Sequence, residues 1–330
     1  MNPSGDGLLQ GATPEPTSLA ETSPPAEFRF PIQGERIFYN NNTYTIGSLL
    51  GVGAFGAVYE CIDDWGNELA AKVLHPLGER TYDQVRVEWI RELERLVVLR
   101  HPNITFIYDA FEYNETFYIV MERCTHTLHD VINLPDLNGD IWIPYVGRDM
   151  LQALDFIHKS GYVHKDVHPG NIFVSQSLDR MVPSKARVWS FKIGDLGISN
   201  LETDINVFNT ILAQWMLPPE YLNPEFGTIG RAVDIYHTGL LLLSLLLCQT
   251  PNFTREQILD GVPRQIAEGH SSVFGPAIAR ALRRHVSERT HSALDFWRDI
   301  ANAVRARERT SPLLAAMGLI APPSPPTPEH

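Results

Sequence analysis

Residues 163–174, VHKDVHPGNIFV, decide how this chain is read. A short apolar, β-rich frame there holds an acid, Asp166, and a carboxamide, Asn171, five residues apart. Such spacing can set a proton acceptor and a metal ligand around one phosphate. What the remaining residues bring to this loop is the question that organises the rest of the sequence.

With 330 residues, 44% of them apolar, the chain can fill a two-lobed globular domain with tails. The formal charge of −12 argues against a nucleic-acid partner, because counterion release needs a basic stripe. Cys61, Cys124 and Cys248 are odd in number, far apart and without a CxxC pair, so neither a disulfide framework nor a zinc site is indicated. A reducing compartment, the cytoplasm, is the expectation. No basic segment followed by an apolar one opens the chain, and no secretory signal is expected. The leucine-rich run 239–248 is about ten residues long, against the roughly twenty a bilayer needs. With Asp234 and His237 just upstream, it reads as a buried core helix and not as a membrane span.

Residues 1–27 are rich in Pro, Ser, Thr and Gly and cannot bury enough surface to offset ordering entropy, which predicts a disordered tail. Residues 28–42 read as a lead-in. The last ten residues, APPSPPTPEH, repeat the tail composition at the end of a second tail, 306–330. Between the tails, β-branched and aromatic content with turn punctuation predicts strands over 44–50, 57–62, 69–74, 104–111 and 116–121. One helix, over 82–99, interrupts them. Trp89, Ile90, Leu93, Leu96, Val97 and Leu99 give it an apolar face, and His101-Pro102-Asn103 stops it. Helical patterns then dominate, over 145–160, 232–248, 255–268, 277–286 and 292–305. The fold class is therefore α+β, a strand-rich lobe before a helix-rich one, with a cleft between lobes as the default ligand site.

Gly51, Gly53 and Gly56 lie in one turn, where the missing Cβ atoms give backbone N–H groups access to phosphates. A dinucleotide fold would need a helix after the third glycine, yet AVYECI alternates like a strand. A P-loop would need Lys-Ser or Lys-Thr after the last glycine, and Ala57-Val58 stands there instead. One strand on, Lys72 sits among apolar neighbours in LAAKVL and needs a partner. Glu92 on the predicted helix is a candidate for that partner, by itself equally readable as an exposed helix glutamate, and an ion pair between the two would aim the ammonium at nucleotide phosphates.

These residues resemble the eukaryotic-type (Hanks-type) serine/threonine protein kinase family, over about residues 43–305. His164-Lys165-Asp166 and Asn171 stand at the spacing of its His-Arg-Asp-x-x-x-x-Asn loop, and Asp195-Leu196-Gly197 resembles its Asp-Phe-Gly. The resemblance implies a two-lobed fold, with an antiparallel β lobe bearing one long helix over about 43–124 and a mainly helical lobe over about 125–305. It implies ATP and Mg2+ as cofactors, Asp166 orienting the acceptor hydroxyl, and Asn171 and Asp195 as the metal ligands, since magnesium prefers hard oxygen. By the same resemblance Leu50, Gly51, Gly53, Gly56, Val58, Ala70, Lys72 and Met121 cradle the nucleotide. The backbone of Glu122 to Cys124 would meet the adenine edge. Pro218-Pro219-Glu220 resembles the family's Ala-Pro-Glu, Arg289 the arginine that pairs with that glutamate, and Asp234 the aspartate that braces the catalytic loop. The implied activity is transfer of the γ-phosphate of ATP to Ser or Thr hydroxyls of protein substrates.

Three positions depart from the pattern. His168 replaces the lysine two residues after the catalytic Asp, where it would stabilise developing charge. Leu212-Ala213 replaces a Gly-Thr element of the activation segment, with Thr210 the nearest hydroxyl. Lys165 replaces an arginine that clamps a phosphorylated activation loop, which predicts a loop held without phosphorylation, by Glu202 or Asp204. Residues 176–189, with Arg180, Lys185 and Arg187, read as a solvated loop. HxDxHPGN also resembles small-molecule phosphotransferases of the aminoglycoside and choline kinase kind. A metabolite kinase and a nucleotide-binding pseudokinase scaffold therefore stay open at this point.

Overall fold

The computed structural model describes residues 29–53, 56–74, 81–178, 187–196, 200–201 and 216–310. Strands β1 (Arg36–Tyr39), β2 (Asn42–Gly53), β3 (Gly56–Ile62), β4 (Glu68–Leu74), β5 (Ile107–Tyr113) and β6 (Thr116–Glu122) form one antiparallel sheet, ordered β1-β2-β3-β4-β6-β5. Alternation explains the inward face: Ala57, Tyr59 and Cys61 on β3 point into a core shared with Leu69, Ala71 and Val73 on β4. Strand β1 falls in what the sequence reads as lead-in; its Ile37 is fully buried while Phe38 is exposed. The expected strand over 104–111 begins only at Ile107, because Ile104 bridges to Ile193 of the other lobe.

Helix α1 (Tyr82–Val98) starts in a capping box, with Thr81 Oγ1 accepting from the Gln84 N–H and Gln84 Oε1 accepting from the Thr81 N–H. Its buried residues are Val85, Glu92 and Leu96. Val97, expected on the apolar face, is half exposed. Trp89 stacks on Phe117 at 5.2 Å, which fastens the helix to the sheet.

The second lobe contains β7 (His126–Thr127), α2 (Leu128–Ile132), α3 (Gly139–Lys159), β8 (Tyr162–Val163), β9 (Ile172–Leu178), β10 (Arg187–Ile193), β11 (Asn200–Leu201), α4 (Pro219–Leu222), α5 (Ala232–Leu247), α6 (Arg255–Leu259), α7 (Val262–Gly269), α8 (Gly275–Ala281) and α9 (Ala293–Thr310). Every residue of α5 from 233 to 246 is buried, so the leucine run is a core helix packed on α3 and α8. Among the described residues no helix is long and apolar enough to cross a membrane. The single helix expected over 255–268 is two, because Gly261 in the left-handed region (φ 76°) separates them and Pro263 starts the second. Residues 176–178 and 187–189, expected within a loop, are strand: β9 and β10 pair in register as far as Leu178 and Arg187.

The lobes meet through residues 103–105. The Thr105 N–H donates to Ile193 O at 2.9 Å, the Ile193 N–H to Asn103 O at 2.8 Å, and Asn103 Nδ2 to Phe191 O at 3.0 Å. Several expectations fall outside the described residues: both tails as far as 1–28 and 311–330, Ala54 and Phe55 of the glycine turn, Arg180, Lys185, Gly197, and Glu202, Asp204, Thr210, Leu212 and Ala213 of the activation segment.

Candidate active site

Asp234, fully buried near the start of α5, organises the loop from below. Its Oδ2 accepts from the His164 N–H at 2.9 Å and from His158 Nε2 at 2.8 Å, and its Oδ1 accepts from the Lys165 N–H at 2.7 Å. Burial alone would raise the Asp234 pKa; the hydrogen bonds from His158 and the His164 backbone overcome it and hold the carboxyl below its ordinary value. His164 continues the chain of contacts: Nε2 donates to Gly194 O at 3.1 Å, and Nδ1 accepts from the Asp166 N–H at 3.2 Å. One buried carboxylate thus fixes the backbone on which Asp166 stands.

The pair Asp166 and Asn171 is joined directly. Asn171 Nδ2 donates to Asp166 Oδ2 at 2.8 Å and to Asp166 O at 3.1 Å. With its nitrogen so engaged, Asn171 has its amide oxygen left to offer a cation. Burial raises the Asp166 pKa, against the pull of His168 and His164.

Across the cleft, Lys72 Nζ lies 2.7 Å from Glu92 Oε1 and 3.0 Å from Asp195 Oδ1. Burial works against the ammonium, but the two carboxylates overcome it and raise the Lys72 pKa. Burial, aided by the Asp195 charge, lifts Glu92 above its ordinary value despite Lys72. Two carboxylates around one ammonium leave a net negative charge for a cation to complete. Asp195 occupies the left-handed region (φ 53°), and Arg95 of α1 donates to the carbonyl of the following Leu196 at 3.0 Å. That arginine ties the helix carrying Glu92 to the segment carrying Asp195, a role the sequence reading missed.

Between the lobes lies a cavity of about 420 Å3. Of the residues singled out from the sequence, Leu50, Gly51, Val58, Ala70, Lys72, Glu92, Met121, Glu122, Cys124, Asn171 and Asp195 line it. Gly56, Asp166 and His168 do not. At Gly51 an added Cβ would meet nothing within 4 Å, so the open space there suits a phosphate. Gly56 has another reason to be glycine. Its φ is +154°, and a Cβ would lie 2.0 Å from the Val73 carbonyl oxygen, so the residue lets β3 approach β4.

At the hinge, Glu122 is fastened on both sides. Its N–H donates to Phe106 O at 2.9 Å, and its carboxylate accepts from the Phe106 N–H and from Lys192 Nζ, each at 2.7 Å. The Glu122 N–H is therefore taken, whereas the Cys124 N–H has no partner among the described residues and is left for an adenine edge. Arg123 pairs with Glu60 at 2.6 Å, so consecutive hinge residues are fastened to opposite lobes.

Cavity residues missed in the sequence include Leu96, Phe173 and Asp130. Two carried a signal: Leu96 lies four residues after Glu92 on one helix face, and Phe173 two after Asn171 on one strand face. Oxygen donors at Asn171 and Asp195 fit a divalent cation that completes its shell with phosphate and water. Among the described residues no group of three or more His, Cys, Asp or Glu could hold a metal by itself.

Lys165 is buried, with 2% exposure, and burial lowers its pKa to about 8. Deeper in the lobe, Arg289 clamps Glu220 bidentately at 2.7 and 2.8 Å.

A sheet lobe and a helical lobe, with a lysine, two carboxylates and a carboxamide gathered at the cavity between them, define the two-lobed kinase fold. A family model described as a protein kinase domain matches residues 44–313, and the chain belongs to that family. It is 30% identical over 204 residues to cyclin-dependent kinase-like 1 of Caenorhabditis elegans, which covers 60% of this chain and 53% of that protein. It is 26% identical over 212 residues to mitogen-activated protein kinase 8 of Oryza sativa subsp. japonica, covering 62% and 36%. With CTD kinase subunit alpha of Schizosaccharomyces pombe it is 27% identical over 239 residues, covering 69% and 37%. The chain spans about a third to a half of the length of these curated relatives. Use of ATP and a divalent cation goes with the family in general.

Proposed function

We propose that the protein transfers the γ-phosphoryl group of ATP to serine or threonine hydroxyls of protein substrates, with magnesium as the cation. The observation that carries this reading is the closed Lys72–Glu92 pair at 2.7 Å, with Asp195 on the same ammonium and Asp166 bonded to Asn171. Support against a scaffold without turnover comes from Lys72, Glu92, Asp166, Asn171 and Asp195 all being present, with Lys72 bonded to two carboxylates and Asn171 to Asp166. The buried Glu220–Arg289 clamp supports a protein acceptor, because it holds the segment after Met216 that leads from the activation segment into the helical lobe.

In this reading Lys72 and the open space at Gly51 hold phosphate oxygens, and Cys124 orients the base. Asp166 accepts a hydrogen bond from the acceptor hydroxyl and points its oxygen at phosphorus. Asn171 and Asp195 would hold the cation, which neutralises phosphate charge when bound. Positioning and fixed electrostatics supply the rate enhancement. We place the protein in the cytoplasm, on the support of three free cysteines, with no nucleic-acid partner on the support of its net charge. Incubation with γ-labelled ATP, magnesium, a protein mixture and, separately, a metabolite mixture should put label on protein Ser or Thr. Label confined to metabolites would refute the assignment of acceptor.

A further inference from the structure

Helix α5 is apolar over most of its length, so each polar side chain buried on it needs an account. Thr238 Oγ1 and Ser244 Oγ donate to the helix's own carbonyls, Asp234 O at 2.7 Å and Leu240 O at 2.9 Å. Asp234 and His237 reach outside the helix. Asp234 holds the backbone of the loop that carries Asp166, and His237, three residues on and so on the same side, holds another segment: its Nε2 donates to Met216 O at 2.9 Å. His237 is 0% exposed and Met216 2%, so the bond lies away from water.

A carbonyl oxygen only accepts, so Nε2 carries the proton and the neutral ring keeps its lone pair on Nδ1. That nitrogen is buried and has no hydrogen-bond partner among the described residues. Burial lowers the His237 pKa to about 4, against the pull of Asp234 and the Met216 carbonyl, so the ring is neutral near pH 7 and the donor does not come and go. An imidazole is a costly way to fill this space, since a leucine like those that follow it would leave no ring acceptor orphaned. What the imidazole gains over leucine is the one bond to Met216.

Met216 begins a short strip that is held at both ends. At the far end Glu220 is clamped by Arg289, whose Nη1 also donates to the carbonyl of Ala232, the first residue of α5, at 2.8 Å. Between the two anchors Pro218 and Pro219 fix their own φ angles, which stiffens the strip. The helix that ties down the loop of Asp166 therefore ties down residues 216–220 as well. His237 lies close enough to His164 and His168 of that loop for both to act on its titration. We propose that His237 is a positioning residue for the protein acceptor: by holding Met216 O it sets residues 216–220 at a fixed place relative to Asp166, so that an acceptor chain lying along them brings its hydroxyl to that carboxylate. The inference rests on the phosphotransfer reading above and adds the group that seats the acceptor. His237 does not line the cavity between the lobes, so ATP should bind alike with or without it.

Full-length wild type, His237→Leu and His237→Gln test this, with the protein that wild type labels most strongly in the protein mixture above as acceptor. Leucine keeps the packing and removes the donor; glutamine keeps an N–H donor at the place of Nε2. For His237→Leu, kcat/KM for the acceptor should fall by about tenfold or more, because a buried carbonyl is left unpaired, while KM for ATP and the melting shift given by Mg·ATP stay as in wild type. His237→Gln should return to within about threefold of wild type, a rescue that packing alone would not give. Independently of turnover, the Leu217 and Glu220 amides should exchange hydrogen about tenfold or more faster in His237→Leu than in His237→Gln. Wild-type acceptor kinetics or unchanged exchange in His237→Leu overturns the inference alone, as does a glutamine variant no better than leucine. A leucine variant that loses the Mg·ATP shift also overturns it, since His237 would then hold the fold and not the acceptor. Label on metabolites alone, or no Asp166-dependent label with wild type, overturns the phosphotransfer reading and this inference with it.

Discussion

Glu220→Ala is predicted to destabilise the helical lobe by an amount that the geometry of Arg289 sets. Both side chains are 0% exposed. All five guanidinium N–H groups have acceptors: Nε donates to Arg283 O at 3.0 Å, Nη1 to Glu220 Oε1 at 2.7 Å and Ala232 O at 2.8 Å, and Nη2 to Glu220 Oε2 at 2.8 Å and Arg284 O at 3.2 Å. The guanidinium also lies 4.9 Å over the Tyr236 ring. Removing the carboxylate leaves a buried, uncompensated charge, a loss of about 3–5 kcal/mol. At roughly 2–4 °C per kcal/mol for a domain of this size, the melting temperature should fall by about 6–20 °C. Arg289→Ala should be worse. It leaves a buried carboxylate and takes the donor from three carbonyls, about 1–3 kcal/mol for each that water does not reach, and so approaches the whole stability of about 5–15 kcal/mol. The double variant Glu220→Met with Arg289→Met should recover the charge penalty but stay below wild type, because those carbonyls remain unpaired. Thermal melts of the four proteins decide the matter. A Glu220→Ala protein that melts within about 2 °C of wild type would refute the reasoning, since a buried ion pair cannot lose a partner so cheaply.

Lys165 should leave a signature in pH. Its folded pKa of about 8 lies below the 10.5 of a free lysine, so between those values the unfolded chain holds a proton that the folded chain has released, and stability from this group rises with pH across that window. Lys165→Met should melt higher than wild type at pH 7, with the difference shrinking from pH 8 to 10; melts across that range check it. Gly56→Ala should destabilise by ~3 kcal/mol or more, whereas Gly51→Ala should melt like wild type, because an added Cβ meets the Val73 carbonyl at 2.0 Å in the first and nothing within 4 Å in the second. Saturating Mg·ATP, at 100 times its Kd, should stabilise the wild type by about 2.7 kcal/mol, or about 5–10 °C, and both EDTA and Asp195→Ala should abolish most of that shift in the same assay.

Much of this was legible in the sequence because local pattern and long-range chemistry agreed. Alternation in GAVYECI and ELAAKVL pointed to the sheet, spacing singled out Asp166 and Asn171, and the resemblance of Asp195-Leu196-Gly197 to a family motif singled out Asp195. Lys72 was readable as a lysine in need of a partner, and Glu92 stands on it at 2.7 Å. Strand β1 escaped because four residues, RIFY, are too few for periodicity to register. The break after α6 was visible in Gly261 and Pro263 but was overridden by apolar spacing on both sides. Burial of Lys165 was not legible: only tertiary packing around Asp234 and Arg95 turns a charged loop residue inward. The engagement of the Glu122 N–H by Phe106 was hidden for the same reason, since Phe106 precedes β5 and Glu122 ends β6, and the two meet only once the hinge is folded.

The central claim is that Asp166 orients a protein hydroxyl for attack on ATP. The direct measurement is transfer of γ-label to protein Ser or Thr by wild type and Asp166→Ala, each first shown to be stabilised by Mg·ATP. Loss of label by ~10²-fold or more in the variant is predicted, whereas equal labelling by the two proteins would contradict it.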